Sequence, residues 1–151
     1  MIKFFGLIPR RPDMSEDEFH DHYRHPHGTL GNKIPLFRGY VQSHQFGHPA
    51  VVGMPSNYEA VAEVWFDTVA DATGLSTDPH YVAYVQPDEP NFVDLPRLKW
   101  LFTHESVLLL EPDGAGTRQG DRAWRSTEAP NSVKLLQFLP ELGADRKSTR
   151  L

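Results

Sequence analysis

The sequence predicts an α+β fold in which one antiparallel sheet carries helices on one of its faces. Three observations support this prediction: short apolar or alternating runs typical of strands, a capping box before a helical stretch, and Pro- or Gly-rich breakers between the elements. The predicted order is strand, helix, strand, strand, helix, strand. That order is the ferredoxin-like βαββαβ pattern.

The first strand and the first helix have the clearest signals. Residues 2–8 form a short apolar run followed by proline, which is typical of a buried strand. Ser15 and Glu18 have the spacing of a capping box, so a helix is expected to begin directly after Ser15. Pro26 lacks a backbone N–H, and the helix is expected to kink or break there before a second helical stretch over 28–33.

The remaining elements are predicted from alternation and turn-forming residues: strands over 36–46, 59–66 and 98–110, a loop over 47–57, and helical segments over 68–73 and 79–85. Asp67 is the expected N-cap of the first of these helical segments. The open face of so small a sheet needs a cover, and dimerisation through the sheets is the natural solution.

The chain is expected to have three parts. Residues 1–112 form the protomer of the predicted fold. Residues 113–132 are rich in Gly, Pro, Asp, Arg and Ser and are interpreted as a linker. Residues 133–151 are predicted to contain a strand, because Lys134 to Pro140 parallels Lys3 to Pro9. Two interpretations of this last part stay open: the start of an incomplete second repeat, or an extra strand at a sheet edge.

Composition excludes several classes of function. The 151 residues fit one ordinary domain, and the absence of Cys excludes disulfides, thiol catalysis and iron–sulfur clusters. A formal net charge of −5 argues against a nucleic-acid partner. No apolar run has the length of a membrane span and no signal peptide is recognised, so a cytoplasmic location is expected. No nucleotide-binding or phosphate-loop motif is present, and no cofactor is expected.

Three ordered blocks of residues resemble the EthD-like family. They are Phe19-x-x-x-Tyr23-x-x-x-His27-Gly28, Arg38 to His44, and Val61 to Asp67. The resemblance covers about residues 1–112 and implies a dimeric α/β barrel, in which two protomers pack sheet against sheet. It further implies either cofactor-independent decarboxylases, dehydratases or cyclases of aromatic compounds, or accessory proteins of degradation pathways. This sequence departs from the family at Tyr23, where Trp is usual, and at Pro26.

Histidine is unusually frequent, and four of the eight residues cluster in the first helix. At 100° per residue, His20 and His27 share one face, whereas His22 and His25 share the opposite face and are expected to be exposed. This arrangement does not favour a four-histidine metal site, and no metal is expected. His27 follows Tyr23 by one turn and lies at the edge of the predicted buried stripe.

The strand over 36–46 supplies a second clue, because Tyr40, Gln42 and His44 alternate onto one face. That face is either exposed to solvent or lines a pocket between the sheet and the helix, and the resemblance favours the pocket. In such a pocket, His27 and His44 are the candidate general acid and base, since imidazole titrates near neutral pH. Tyr40 or Tyr23 is the candidate hydrogen-bond partner of a substrate carbonyl or phenolate, and Tyr40 is placed with His27 and His44 among the candidate catalytic residues.

The candidate substrate-binding residues are Tyr23, Gln42, Glu63 and Trp65. The Glu63 carboxylate has the chemistry to orient a histidine ring, and the alternative is a place in the dimer interface or in solvent. His104 is interpreted as a structural histidine. No role is assigned to His20, His48 or His80.

The sequence therefore predicts a cofactor-independent lyase or isomerase that decarboxylates, dehydrates or cyclises a small cyclic or aromatic hydrophobic compound. Two alternatives stay open: a non-catalytic protein that binds such a metabolite, and a structural barrel. The expected partners are the small ligand and a second copy of the chain, with no membrane. Catalysis is favoured if His27 and His44 reach one ligand atom, and binding alone is favoured if they point into separate environments.

Overall fold

A computed structural model of the chain describes residues 1–45 and 57–104, together with Leu136 and Phe138. By its internal contacts the chain divides into two units, Met1–Leu109 and Leu110–Leu151, and the elements below belong to the first. The predicted linker, most of the predicted loop over 47–57 and His48 lie outside the described residues. So do residues 105–110 of the predicted last strand and, apart from Leu136 and Phe138, the predicted C-terminal strand.

Four strands form one antiparallel sheet: β1 (Ile2–Ile8), β2 (Gly39–His44), β3 (Ala60–Phe66) and β4 (Lys99–His104). Their order across the sheet is β2-β3-β1-β4, so the two most apolar strands are central. The predicted α+β, ferredoxin-like fold is confirmed. β2 begins later than predicted, because the chain first turns at Ile34 to Phe37, where the Phe37 N–H donates to the Ile34 carbonyl at 3.3 Å.

Helix α1 (Glu16–His22) begins as the sequence predicts. The Ser15 hydroxyl accepts from the N–H of Glu18, and the Glu18 carboxylate accepts from the N–H of Ser15 at 2.9 Å. This reciprocal pair satisfies two backbone donors that a helix start otherwise leaves free.

Pro26 does not break the first helical stretch. A π-helical turn (Tyr23–His27) joins α1 to α2 (Gly28–Gly31), and the N–H of Gly28 bonds back to the Tyr23 carbonyl five residues earlier. The wider turn accommodates both the ring and the missing N–H of Pro26, so the expected kink is replaced by a π turn. Because this turn holds more residues than an α-helical one, the ideal helical angles no longer apply after Tyr23.

Helix α3 (Val69–Gly74) has Thr68 as its N-cap, so the prediction of Asp67 was wrong. The Thr68 side chain accepts from the N–H of Asp71, whose carboxylate accepts from the N–H of Thr68 at 3.1 Å. Asp67 instead accepts a hydrogen bond from Arg38. Short helical turns then connect α3 to β4: Leu75–Thr77, Tyr81–Val85, Glu89–Asn91 and Leu95–Arg97.

The core lies between the helices and one face of the sheet. One cluster is centred on Phe19, Tyr23 and Phe92, each fully buried, which pack on Ile8 and Ala62. Their rings lie 5.7–5.8 Å apart between centroids, a spacing at which aromatic pairs attract. A second cluster joins α3 to the other end of the sheet through Ile2, Val64, Phe66 and Ala72.

Candidate active site

A cavity of about 100 Å³ lies between the sheet and the helical segments. Its walls are mostly apolar, with Ile8, Ala62 and Val64 from the sheet and Val85 from the helical turn Tyr81–Val85. Trp100 also lines it and is 62% exposed, so the cavity reaches solvent beside this ring. The polar or ionisable side chains among the described lining residues are those of Tyr23, His27, Tyr40, Tyr81 and Glu89.

Tyr23 and Tyr40 bring two hydroxyl groups to the cavity. The Gln42 amide donates to the Tyr40 hydroxyl at 2.9 Å and to the Tyr23 carbonyl at 2.6 Å. Because Gln42 is a donor to the Tyr40 oxygen, the Tyr40 proton stays available for another acceptor. The Tyr23 hydroxyl is buried and makes no hydrogen bond with the residues that the structure describes.

Burial keeps both phenols in their neutral, proton-donating form. It raises the pKa of Tyr23 well above its ordinary value, and the neighbouring Tyr40 adds to the effect. Burial also raises the pKa of Tyr40, against the hydrogen bond from Gln42 and the nearby hydroxyl of Tyr23, which lower it. Both hydroxyls are therefore suited to donate to a carbonyl or to a developing oxyanion.

His27 is held by a carboxylate that the sequence analysis did not identify. Its Nδ1–H donates to the Asp88 Oδ2 at 3.0 Å, and the ring packs on Phe92 at 4.7 Å between centroids. The same carboxylate accepts from His22 Nε2–H at 2.9 Å and from the Asn91 amide at 3.1 Å. With Nδ1 occupied by Asp88, Nε2 is the nitrogen of His27 that remains for chemistry.

The electrostatics of this pair favour a neutral imidazole beside an ionised carboxylate. Burial lowers the pKa of His27, while the hydrogen bond and the charge of Asp88 oppose that shift. Burial alone would raise the pKa of Asp88, but hydrogen bonds from Asn91, His22 and His27 hold it below its ordinary value. A neutral imidazole of fixed tautomer can act as a general base through Nε2.

His44 does not share a site with His27, which corrects the predicted pairing. Both rings contact Tyr23, at 5.7 Å for His27 and 5.3 Å for His44 between centroids, but they have different polar partners. His44 is not among the residues that line the cavity, and its Nδ1 lies 2.9 Å from the Nδ1 of His20. Burial, together with the charges of the nearby His20 and Arg24, lowers the pKa of His44 to about 4.

Glu63 and Trp65 lie on the face of the sheet that points away from the helices, so they cannot contact a ligand in the cavity. They share that face with Lys3 through the strand register. The Lys3 ammonium lies 3.0 Å from the Glu63 carboxylate and 4.3 Å from the centroid of the Trp65 ring. The Ser43 hydroxyl donates to Glu63 at 2.9 Å, and no histidine approaches this carboxylate among the described residues.

The other histidines have structural or surface positions. His22, expected on the surface, is half-buried because it stacks on Phe92 and binds Asp88, whereas His25 is exposed as predicted. His80 donates from Nε2 to the Leu30 carbonyl at 3.0 Å. His104 is exposed at the end of β4, so the prediction of a structural histidine was wrong.

Sequence reasoning missed Tyr81, Asp88 and Glu89. The Tyr81 hydroxyl donates to the Glu89 carboxylate at 2.9 Å beside the cavity. The only local signal was the short acidic pair Asp88-Glu89 between two prolines. That pattern is typical of a solvated loop, and nothing in it indicates that the loop folds against the first helix.

Among the described residues, no group of three or more histidine or acidic side chains is placed to hold a metal ion. No helix in residues 1–45 and 57–104 is long and apolar enough to cross a membrane.

Residues 11–96, more than half of the chain, match the EthD domain. The chain therefore belongs to the EthD family, as its resemblance to that family indicated. A comparison with curated proteins gives no match.

Solved structures share the fold. An EthD family protein from Bacillus halodurans is 22% identical, with a TM-score of 0.56, and the likeness covers 70% of this chain and 99% of that one. A hydroxynitrile lyase from Passiflora edulis is 17% identical, with a TM-score of 0.53 and coverage of 71% and 96%. A dimeric ferredoxin-like protein of unknown function from Thermobifida fusca is 13% identical, with a TM-score of 0.53 and coverage of 69% and 90%.

Proposed function

We propose that this protein is a cofactor-independent lyase or isomerase that acts on a small, neutral, cyclic or aromatic carbonyl compound. The observation that carries the proposal is the convergence of three groups on one apolar cavity. These groups are the Asp88-bound His27 ring and the hydroxyls of Tyr23 and Tyr40. The first supplies a base, and the other two supply hydrogen-bond donors.

The chemistry follows from the states of these groups. His27 Nε2 takes a proton from the carbon next to the substrate carbonyl, and Asp88 stabilises the imidazolium that forms. The electron pair of the broken C–H bond moves toward the carbonyl oxygen, where Tyr23 and Tyr40 donate hydrogen bonds to the developing charge. Such base catalysis contributes a factor of about 10² to 10⁴ in rate. Dehydration of a β-hydroxy carbonyl compound and aldol-type cyclisation begin with this deprotonation. Decarboxylation of a β-keto acid reaches the same kind of enolate by loss of CO₂, with the C–C bonding pair moving toward the oxygen that Tyr23 and Tyr40 stabilise.

The size of the cavity supports a small ring compound. An engineered apolar cavity of roughly 150 Å³ accepts benzene. The cavity here is smaller, at about 100 Å³, but it opens to solvent beside Trp100, so part of a ring can extend outward. A ring of about six non-hydrogen atoms, with part of it toward the opening, therefore suits this space.

A non-catalytic binding protein is the second candidate, and one observation favours it. His27 binds Asp88 and lines the cavity, whereas His44 lies beside His20 and does not line it, and this separation is the geometry expected for binding alone. Catalysis by His27 without His44 agrees better with the Asp88 contact, which fixes the tautomer of the His27 ring. A histidine that only forms part of the wall of a binding site does not need a fixed tautomer.

We further propose that two copies of the chain associate through the face of the sheet that points away from the helices. The Thermobifida fusca structure that shares this fold is described as dimeric. On this face Val41 is 37% exposed, and it lies beside β3 in the sheet. Light scattering on the purified chain should give twice the mass of 17.2 kDa, and a monomer would contradict this proposal.

Proton exchange tests the catalytic proposal without knowledge of the natural substrate. Cyclohexanone in D₂O loses its α-protons only if a base removes them, and NMR follows the loss. The chain should accelerate this exchange, and His27→Gln should lower the rate by at least about 100-fold. His25→Gln is the matched control, because His25 is exposed two residues away. Binding of cyclohexanone without exchange would instead identify a binding protein.

A further inference from the structure

Among the described residues that line the cavity there is one carboxyl group, and the mechanism above does not use it. Glu89 lines the cavity and accepts a hydrogen bond from the Tyr81 hydroxyl through Oε1 at 2.9 Å. Its other oxygen, Oε2, makes no hydrogen bond with the described part of the chain. Tyr81 also lines the cavity. The pair is therefore a donor–acceptor unit with one free carboxyl oxygen at the ligand space.

The position of Glu89 follows from the same short turn that serves His27. Asp88 precedes the turn Glu89–Asn91, and its carboxylate binds His27. The next residue directs its carboxyl toward Tyr81 instead. Two neighbouring acidic residues thus serve two different partners, His27 and Tyr81, and both partners line one cavity.

The environment of Glu89 favours its protonated form more than that of an ordinary carboxyl. Burial among apolar walls raises the pKa of Glu89, and the neighbouring negative charge of Asp88 raises it further, against the hydrogen bond from Tyr81 that lowers it. Asp88 itself, with three donors around it, has a lowered pKa. Neighbouring carboxyls with pKa values shifted in opposite directions are suited to different roles in proton transfer.

We propose that Glu89 is the second proton-transfer residue of this site, and that it gives a proton to a substrate oxygen while His27 removes a proton from carbon. The inference rests on the proposed function of His27. Tyr81 is a positioning residue, because its hydroxyl holds the carboxyl in place. Together, His27 and Glu89 allow a reaction in which one substrate atom loses a proton and a second substrate atom gains one.

A β-hydroxy ketone shows how the step balances. His27 Nε2 takes the proton from the α-carbon, and that electron pair forms the new C=C bond. The C–O bond breaks with its pair on the oxygen, which takes the proton from the Glu89 carboxyl and leaves as water. His27 ends as imidazolium and Glu89 as carboxylate, and proton exchange with solvent restores both.

Two matched probes separate this inference from the proposed function. Cyclohexanone exchange needs the base His27 but no acid at Glu89, whereas 3-hydroxycyclohexanone also needs an acid to release water and form cyclohex-2-enone, which absorbs in the ultraviolet. Glu89→Gln keeps the shape of the side chain and an acceptor for Tyr81. It should lower the ratio of elimination to exchange at least tenfold. Glu16→Gln removes an exposed carboxylate outside the cavity and should leave both rates unchanged.

The pH profile tests the role of Tyr81. Because the Tyr81 hydrogen bond lowers the pKa of Glu89, Tyr81→Phe should move the high-pH limb of elimination to higher pH. Three results would overturn the role of Glu89: wild-type exchange without elimination, an unchanged ratio in Glu89→Gln, or an unmoved limb in Tyr81→Phe. Absence of exchange in the wild type would overturn the proposed function of His27 instead.

Discussion

Replacing Tyr23 with Phe should make the protein more stable and less able to act on its ligand. The Tyr23 ring is fully buried and packs against Phe19, Phe92 and His27. Its hydroxyl makes no hydrogen bond with the described residues. Phe keeps the ring contacts and removes only the unsatisfied oxygen.

The expected magnitude follows from the state of this hydroxyl. A buried polar group without a partner costs about 1–3 kcal/mol. The small void left by the oxygen offsets part of that gain, since lost packing contacts are themselves destabilising. Tyr23→Phe should therefore raise the free energy of unfolding by about 1 kcal/mol, which corresponds to roughly 4 °C in Tm for a chain of this size.

Tyr40→Phe is the matched control, because the Tyr40 hydroxyl accepts from Gln42 at 2.9 Å. Its loss should lower the free energy of unfolding by about 1 kcal/mol. Urea unfolding of both variants, followed by circular dichroism, measures the difference. If Tyr23→Phe is destabilised as much as Tyr40→Phe, the Tyr23 hydroxyl is not an unsatisfied group held for a ligand. Tyr23→Phe should also slow cyclohexanone exchange, because a hydroxyl that lowers the stability of the free protein is expected to serve the ligand.

Three further predictions concern the surroundings of the cavity. Asp88→Asn should lower the pKa of His27 further, because the charge and the hydrogen bond of Asp88 raise that pKa in the native protein, and NMR titration of the His27 ring measures the change. The rate of cyclohexanone exchange should fall at least tenfold in the same variant. The free energy of unfolding should fall by on the order of 1–2 kcal/mol as the pH drops from 6.5 toward 4, because the lowered pKa values of His20, His27 and His44 let the unfolded state bind protons that the native state does not bind. His44 is only half-buried, so the loss is smaller than its full pKa shift implies. Chemical unfolding at each pH measures this loss, and a free energy of unfolding that stays constant over this range would contradict it. Gly31→Ala should destabilise the protein by about 1–3 kcal/mol and slow cyclohexanone exchange, because the new Cβ would lie 2.9 Å from the Tyr40 ring. Thermal unfolding measures the loss of stability, and the control Gly74→Ala should not be destabilised, because its new Cβ meets nothing within 4 Å.

The parts of the site that the sequence could predict depend on local periodicity. Alternation in β2 predicted that Tyr40, Gln42 and His44 share a face, and all three contact the helical segment there. The spacing of Phe19 and Tyr23 predicted one buried stripe in the same way. Local patterns fix which residues share a face, and they hold wherever the backbone stays regular.

The remaining parts depend on long-range contacts and on an irregular backbone. The π turn at Pro26 changes the rotation of the helix before His27, so angles of an ideal α-helix could not place that ring. Asp88 lies more than sixty positions from His22 and His27, and no local pattern joins them. Glu63 was misplaced for a similar reason, because alternation in β3 predicts which residues share a face but not which face of the sheet the helices cover.

Nuclear Overhauser effects between bound cyclohexanone and side-chain protons would test most directly whether the ligand binds in this cavity beside His27, the proposed base. Contacts to the rings of His27, Tyr23 and Tyr40, without contacts to His44 or Trp65, are the predicted result. Contacts to Trp65 on the opposite face of the sheet, or to His44 without His27, would contradict the assignment of this cavity as the active site.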